Sequence, residues 1–351
     1  MKCILHIGTE KTATTTLQSF LHLNRDKLAK KGFLFTKSAG LTNNFKLPVS
    51  SYNIDKRDDL TNICNIFTNE DLINFQKKII TDLKKEIAEN KQPNIIFSSE
   101  HIQSRLTTQQ EITRLKSILE KIGLYDISVV IYLRNPTEIA TSLFSNCIIN
   151  GHSIDLPPSP KDSYFNRICN HKNTLLKFEK VFGREHLIPK IFDRSEFKNG
   201  SIIEDFLDVL GMPLYGDFEI PNNQNTSLSP IGLELLRRIN KQIPLFIDNR
   251  TNPLRGNIIA YFQKHFNNSK YVMPKYLFDE YQDAFKESNE WVRKRWFPSK
   301  ESFFYTKEYE NKTTLPLADN ELDQTANLLA NIWIDKQESI ISLTKSHSSE
   351  S

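Results

Sequence analysis

The chain has 351 residues, and its 46 Lys and Arg exceed its 42 Asp and Glu, which gives a formal net charge of +4 at pH 7. So small an excess does not indicate a nucleic-acid-binding protein, but it suits a small anionic ligand. The cysteines form no C-x-x-C pair and indicate neither a zinc site nor a disulfide framework; they are Cys3, Cys64, Cys147 and Cys169. No apolar run is long enough for a signal-peptide core or a membrane span, so we expect a cytoplasmic protein.

Four apolar runs rich in β-branched residues predict the strands of a sheet: Cys3–Gly8, Pro93–Glu100, Ile127–Arg134 and His186–Asp193. A helical pattern follows each of them, over Thr14–Lys31, Gln109–Lys121, Thr137–Ile149 and Ser201–Gly211. Strands that alternate with helices form βαβ units, so we expect an α/β fold with a central parallel sheet flanked by helices. Pro189 in the fourth run indicates an edge strand or a local irregularity. Ligands of such sheets bind at the carboxyl ends of the strands.

The composition predicts a division of the chain near residue 220. Residues 1–220 are expected to form the α/β core, with a polar stretch at about residues 37–66 that runs irregularly over the site. Residues 221–345 contain amphipathic helical patterns and no strong strand pattern. We expect them to form a helical extension that packs on the core as part of one domain. The polar tail, residues 346–351, is expected to be disordered.

The first predicted strand turns into a helix through HIGTEKTATTT, residues 6–16. Such a turn presents unpaired backbone N–H groups and the positive end of the helix dipole, which suits a phosphate group. Lys11 adds a positive charge, and hydroxyl donors come from Thr12, Thr14, Thr15 and Thr16. A Walker A loop needs its second glycine where Ala13 lies, so an ATP-binding loop is not indicated. A plain turn with threonine caps and a solvated lysine remains an alternative.

The third predicted strand ends in YLRNPTEIATS, residues 132–142. Arg134 lies at the strand end, Pro136 starts the next helix, and Ser142 follows the arginine by eight positions. An arginine gives fork-like hydrogen bonds to a phosphate, and a serine two turns into the helix can face the same ligand. A surface salt bridge and a helix-surface serine are the alternative interpretation.

These two elements, in this order, resemble the nucleotide-binding elements of sulfotransferases that use 3′-phosphoadenosine 5′-phosphosulfate (PAPS), especially the bacterial, carbohydrate-type members. The resemblance implies a three-layer, P-loop-like fold. It implies that Lys11 and residues 12–16 hold the 5′-phosphate and the sulfuryl group, and that Arg134 and Ser142 hold the 3′-phosphate. Ala13 stands where the family usually carries glycine. A positive φ at that position would make its methyl group cost about 1 kcal/mol.

The resemblance also implies an activity: transfer of the sulfuryl group of PAPS to a hydroxyl group, with 3′-phosphoadenosine 5′-phosphate (PAP) as the product. By family analogy the acceptor is a carbohydrate or a glycolipid precursor. Lys11 can stabilise the leaving phosphate oxygen, so no metal ion is required. Positioning and electrostatics dominate such a transfer.

Two neighbouring residues at the end of the second predicted strand, Glu100 and His101, are candidates for the base that removes the acceptor proton. A histidine has the more convenient pKa near neutrality. Glu100 is favoured because it directly ends the strand, and adjacent residues there point in opposite directions. A glutamate facing a helix dipole and a packing histidine are the structural alternatives.

Two rival functions stay open from the sequence. A P-loop nucleotide or small-molecule kinase would turn over ATP with magnesium and show no preference for a 3′-phosphate. A non-catalytic protein that binds 3′-phosphoadenosine nucleotides would bind them without Glu100 and His101.

Overall fold

The computed structural model describes residues 1–213, 218–221, 227–247, 250–266, 270–305, 309 and 318–348, the last six as backbone only. The chain forms two compact units that interleave in sequence. The first unit comprises Met1–Pro136, Asp162–Asn222 and Ala284–Tyr305, and the second comprises Thr137–Lys161, Asn223–Asp283 and Thr306–Ser351. One passage between the units, after Asn222, lies close to the division predicted near residue 220. The other passages were not foreseen from the sequence.

A parallel sheet of five strands lies at the centre of the first unit. The strands are β1 (Lys2–His6), β2 (Phe33–Phe35), β3 (Asn94–Ser98), β4 (Asp126–Leu133) and β5 (Leu187–Ile191). Their order is β2-β3-β1-β4-β5, and every neighbouring pair is parallel. The predicted α/β fold with a central parallel sheet is therefore confirmed. The strand that contains Pro189 is an edge strand, as its missing N–H requires.

Helices cover both faces of this sheet, which makes the unit three-layered. Successive strand residues point to opposite faces, so Leu5 joins one hydrophobic cluster and Ile4 joins another. The first cluster includes buried residues of α5 (Asn69–Asn90), α7 (Gln109–Lys121) and α10 (His171–Phe182). The second includes those of α1 (Thr14–Leu23), α2 (Arg25–Lys30) and α11 (Ile202–Val209).

The remaining helices of the first unit are short and lie in its connections: α3 (Lys46–Val49), α4 (Asp59–Ile63), α6 (His101–Arg105) and α9 (Ser163–Cys169). The first two interrupt the polar stretch predicted at about residues 37–66. Asn44 fixes this stretch to the end of β3, because its N–H donates to the Ser98 carbonyl over 3.0 Å and its Oδ1 accepts from the Ser98 N–H over 2.9 Å. The polar stretch is thus held at the carboxyl end of the sheet.

Helices make up most of the second unit, with a short hairpin of β6 (Phe246–Ile247) and β7 (Arg250–Thr251). Its helices are α12 (Pro230–Gln242), α13 (Ile258–His265) and α15 (Asp319–Ser348). Two further helices, α8 (Pro136–Ile149) and α14 (Lys275–Trp296), pass from one unit into the other. Residues 346–348 of the predicted tail belong to α15, and residues 349–351 lie outside the described part of the chain. Among the described residues, no helix is both long and apolar enough to cross a membrane.

Candidate functional site

The turn between β1 and α1 is fixed at its start by the neighbouring strand. The Ile7 and Thr9 N–H groups donate to Val130 and Tyr132 carbonyls over 3.0 Å, and the Tyr132 N–H donates to the Gly8 carbonyl over 2.7 Å. Beyond Thr9 the chain curls: the Thr12 hydroxyl donates to the Thr9 carbonyl over 2.6 Å. Because this bond uses the Thr12 hydroxyl proton, Thr12 can serve an anion only through its backbone N–H.

The residue that precedes α1 is Ala13, in the left-handed conformation with φ 55° and ψ 30°. An alanine has no polar side chain, so it cannot cap the helix. The first bond within α1 runs from the Leu17 N–H to the Ala13 carbonyl over 3.1 Å. The N–H groups of the first helical turn, Thr14–Thr16, therefore have no acceptor within the helix. The alternative interpretation with a threonine cap was wrong, and the helix terminus keeps its capacity for an anion.

The left-handed conformation of Ala13 makes Ala13→Gly a stabilising change. A Cβ atom is disfavoured at a φ of 55°, so we expect the free energy of unfolding to rise by about 0.5–1 kcal/mol. Urea unfolding measures this as a higher midpoint with an unchanged slope. Ala284→Gly, at an exposed position in the interior of α14, is the matched control and should lower the free energy of unfolding by about as much. A lower midpoint for Ala13→Gly would contradict the assigned conformation.

Gly8 brings the turn against the end of β3. Its φ is 95°, and a Cβ atom at this position would lie 3.0 Å from both Cα and Cβ of Glu100. No larger residue fits there without displacing one of the two segments. The turn and the predicted base are therefore in direct contact.

The carboxylate of Glu100 accepts two hydrogen bonds on the same oxygen. Gln18 Nε2 donates to Oε2 over 2.7 Å, and Asn43 Nδ2 donates to Oε2 over 3.0 Å. Neither partner was predicted from the sequence. Gln18 lies one turn after Thr14 on the buried face of α1. A polar residue on that otherwise mostly apolar face could have indicated a role in the site from the sequence alone. Asn43 lies in the polar stretch, where no pattern singles it out.

His101, the other candidate base, is the first residue of α6. Its Nδ1 atom is buried and has no hydrogen-bond partner among the described residues. Burial of an unsatisfied polar atom is unusual and needs an explanation. The choice between Glu100 and His101 stays a prediction.

Arg134 lies beside the turn, as the two predicted elements together require. Its Nη1 donates to the Lys11 carbonyl over 2.7 Å, a contact across 123 positions of sequence. Its guanidinium carbon lies 5.3 Å from the centre of the Phe192 ring. These contacts fix one cationic group at the carboxyl end of β4, next to the turn. Ser142 lies on α8 in the second unit, and its pairing with Arg134 stays a prediction.

His171 supports Arg134 from inside the core. Its Nε2 lies 2.7 Å from the Arg134 carbonyl oxygen, and because a carbonyl can only accept, Nε2 carries the proton. The imidazole packs edge-on against Phe303 and Phe304, with ring centres 6.2 and 5.8 Å away. Burial lowers the pKa of His171 to about 4, although the bond to the carbonyl opposes this shift. The histidine is therefore neutral near pH 7 and acts as a structural donor.

We expect two buried histidines to make the protein less stable in mild acid. Burial lowers the pKa of His171 to about 4 and that of His6 to about 3, whereas both bind a proton near pH 6.5 when unfolded. The unfolded chain therefore takes up more protons as the pH falls below 6.5, and stability is lost from there down to the folded pKa values. At pH 5 each histidine should cost about 2 kcal/mol relative to pH 7.5.

His171→Gln isolates one of these contributions, because glutamine can still donate to the Arg134 carbonyl. Between pH 7.5 and pH 5, the free energy of unfolding measured with urea should fall by about 2 kcal/mol more in the unsubstituted protein than in this variant. Equal losses in the two proteins would mean that His171 is protonated in the folded state.

A second contact to the turn comes from α9. The Tyr164 hydroxyl donates to Glu10 Oε2 over 2.7 Å, and burial, followed by the Glu10 charge, raises the pKa of Tyr164 well above its usual range. Arg167 lies over the Tyr164 ring at 5.3 Å and donates from Nε to the Ser104 carbonyl of α6 over 2.9 Å. Helix α9 thus connects the turn with the helix that follows Glu100. No pattern in the sequence singles out these residues.

No group of three or more His, Cys, Asp or Glu side chains could hold a metal ion in the part of the chain that the structure describes. The site therefore consists of a strand-to-helix turn with an uncapped helix terminus, a lysine and an arginine near it, and a carboxylate in contact with it.

The fold and this site define an α/β protein with a strand-to-helix turn at the carboxyl end of its parallel sheet. Comparisons with known proteins do not assign the chain to a family. No family model matches the chain. An uncharacterized protein of Archaeoglobus fulgidus is 26% identical over 149 residues, which are 41% of this chain and 38% of that protein. The chain thus spans well under half the length of this relative.

The chain is also similar to a sulfotransferase from Alicyclobacillus acidocaldarius, known from its crystal structure. The similarity covers 64% of this chain and 86% of that one, with a TM-score of 0.38 and 14% sequence identity. At these values it assigns neither a family nor an activity.

Proposed function

We propose that this protein is a PAPS-dependent sulfotransferase, which moves a sulfuryl group from PAPS to a hydroxyl group of a carbohydrate or glycolipid. One observation carries the proposal. The Arg134 guanidinium is bonded to the carbonyl of Lys11 over 2.7 Å, which joins the two sequence elements that resemble the nucleotide-binding elements of that superfamily. The same turn contacts Glu100 at Gly8, so the proposed base lies beside the proposed donor site.

The residues of the turn fit the 5′-phosphosulfate end of the donor. Ala13 leaves the first turn of α1 uncapped, so the backbone N–H groups of residues 14–16 are suited to bind phosphate oxygens. Lys11 adds a cation that can stabilise negative charge on the leaving oxygen. Arg134 would bind the 3′-phosphate through its fork of N–H donors, together with Ser142 from α8.

The proposed transfer is a single in-line displacement. Glu100 takes the proton of the acceptor hydroxyl while that oxygen forms a bond to sulfur. The bond between sulfur and the 5′-phosphate oxygen breaks, and its electron pair stays on PAP. Lys11 holds the charge that develops there. His101 is the second candidate for the base.

Transfer of label tests this proposal. The protein is incubated with ³⁵S-labelled PAPS and N-acetyllactosamine as a hydroxyl acceptor, and in parallel with γ-³²P-labelled ATP, magnesium and the same acceptor. We expect PAP to form from PAPS and no phosphate to leave ATP. Transfer from ATP without any turnover of PAPS would identify a kinase and overturn the proposal. PAP binding without turnover would indicate a non-catalytic nucleotide-binding protein.

A further inference from the structure

Two amide side chains hold one oxygen of the Glu100 carboxylate and leave the other to a different partner. Gln18 and Asn43 both donate to Oε2, over 2.7 and 3.0 Å. Gln18 is only 5% exposed, so an amide without this acceptor would lose its hydrogen bond inside the protein. The two bonds fix the plane and direction of the carboxylate, because both donors come from backbone segments that are themselves anchored.

The segment that carries Asn43 is anchored on both sides of the residue. Asn44 pairs with Ser98 at the end of β3, and its Nδ2 donates to the Gly40 carbonyl over 3.0 Å. Gly40 has a φ of 132°, and a Cβ atom there would lie 2.1 Å from the Asn43 carbonyl oxygen. Only glycine permits this turn. Since Ser98 precedes Glu100 by two positions, the pairing of Asn44 places Asn43 beside the carboxylate.

The second donor comes from the helix that follows the turn. Gln18 lies on α1, one helical turn beyond Thr14, whose N–H belongs to the uncapped helix terminus. The helix that would bind the phosphosulfate therefore also sets the direction of the proposed base. A shift of α1 would move both groups together.

We propose that Gln18 and Asn43 are positioning residues, which direct Oε1 of Glu100 toward the acceptor so that this oxygen receives the hydroxyl proton. This inference rests on the proposed function. Both donors bind Oε2 in the resting protein and keep that oxygen occupied. In the transfer step Oε1 takes the hydroxyl proton while the acceptor oxygen forms its bond to sulfur. The bond from sulfur to the 5′-phosphate oxygen breaks in the same step, and PAP leaves with the electron pair.

The test compares Gln18→Met and Asn43→Ala in two backgrounds, the unsubstituted protein and Glu100→Gln. Gln110→Met on α7 and Asn62→Ala on α4 are matched controls at exposed positions. The release of PAP from PAPS is measured with N-acetyllactosamine and with water alone, and PAP affinity by calorimetry. We expect each site variant to lower kcat by about 10-fold or more with KM for PAPS within about 2-fold. In the Glu100→Gln background neither should lower kcat further, because the group that they position is gone.

The outcomes separate this inference from the function on which it rests. If the unsubstituted protein does not bind PAP, the proposed function fails and this inference with it. If it binds PAP and turns over PAPS but the site variants keep its kcat, the positioning role is wrong and the function stands. Equal losses in both backgrounds would show a purely structural role. PAP binding without PAP release in the unsubstituted protein would overturn the base and its positioning residues together.

Discussion

Glu100→Gln is expected to lower the turnover of PAPS by about 10²- to 10⁴-fold, the usual contribution of a general base. Glutamine keeps the size of the side chain and can still accept from Gln18 or Asn43, so the surroundings should stay in place. It cannot take a proton at neutral pH. Steady-state kinetics with PAPS and N-acetyllactosamine measure the loss, and PAP affinity should stay within about 2-fold because Glu100 lies outside the proposed phosphate contacts.

His101→Ala is the comparison that decides between the two candidate bases. We expect it to keep most of the turnover. A collapse of turnover in His101→Ala, with Glu100→Gln near normal, would move the base to the histidine. Near-normal turnover in both variants would remove both residues from the proton transfer.

Arg134→Gln is expected to weaken the binding of PAP by about 10- to 100-fold, as the loss of a charged hydrogen bond to a phosphate requires. Glutamine is two bonds shorter than arginine, so it loses the bond to the Lys11 carbonyl, which Arg134 holds at 2.7 Å. The backbone bonds from the Ile7 and Thr9 N–H groups to β4 should still hold the turn in place. Calorimetry with PAP and with ADP measures the two affinities, because ADP lacks the 3′-phosphate and reports on the turn alone.

The affinity for ADP is the internal control in this experiment. The affinity for ADP should change by no more than about 2-fold in Arg134→Gln. The preference for PAP over ADP should therefore fall by nearly as much as the affinity for PAP does. If both affinities fall equally, Arg134 acts through the turn and does not bind the 3′-phosphate. An unchanged preference would remove Arg134 from the site.

Strong local patterns made the sheet and its edge strand predictable. Continuous β-branched runs mark β1, β3, β4 and β5 within one or two residues of their bounds, because strands that are buried on both faces must be apolar throughout. Pro189 marked the edge strand for a covalent reason, since proline has no N–H. The three-residue strand β2 was missed because FLF is too short to show a period.

The contacts that build the site were only partly predictable. The sequence placed Lys11, Glu100 and Arg134 at strand ends, and parallel strands bring such ends to one edge of a sheet. It could not give the strand order, which puts β1 between β3 and β4 and so brings the turn next to both residues. Asn43 depends on the path of a polar stretch, which long-range bonds to Ser98 determine. No local pattern encodes such bonds.

The conformation of Ala13 could not be predicted from the sequence. Threonines are common helix caps, so four of them around Ala13 favoured an ordinary capped turn as an alternative. In the structure the cap position falls on the alanine itself, at a φ of 55°. The first turn of α1 then has no side-chain cap and can accommodate an anion. The methyl group of Ala13 destabilises this conformation by an amount that unfolding experiments can measure.

The stabilisation of the folded protein by nucleotides tests most directly whether this chain binds a 3′-phosphorylated adenosine nucleotide. A ligand that binds only the folded state raises its melting temperature in proportion to the logarithm of its concentration over Kd. We expect PAP to raise the melting temperature clearly more than ADP at the same concentration, and ATP with magnesium to raise it no more than ADP does. A shift with ATP and magnesium but none with PAP would contradict the proposed donor site.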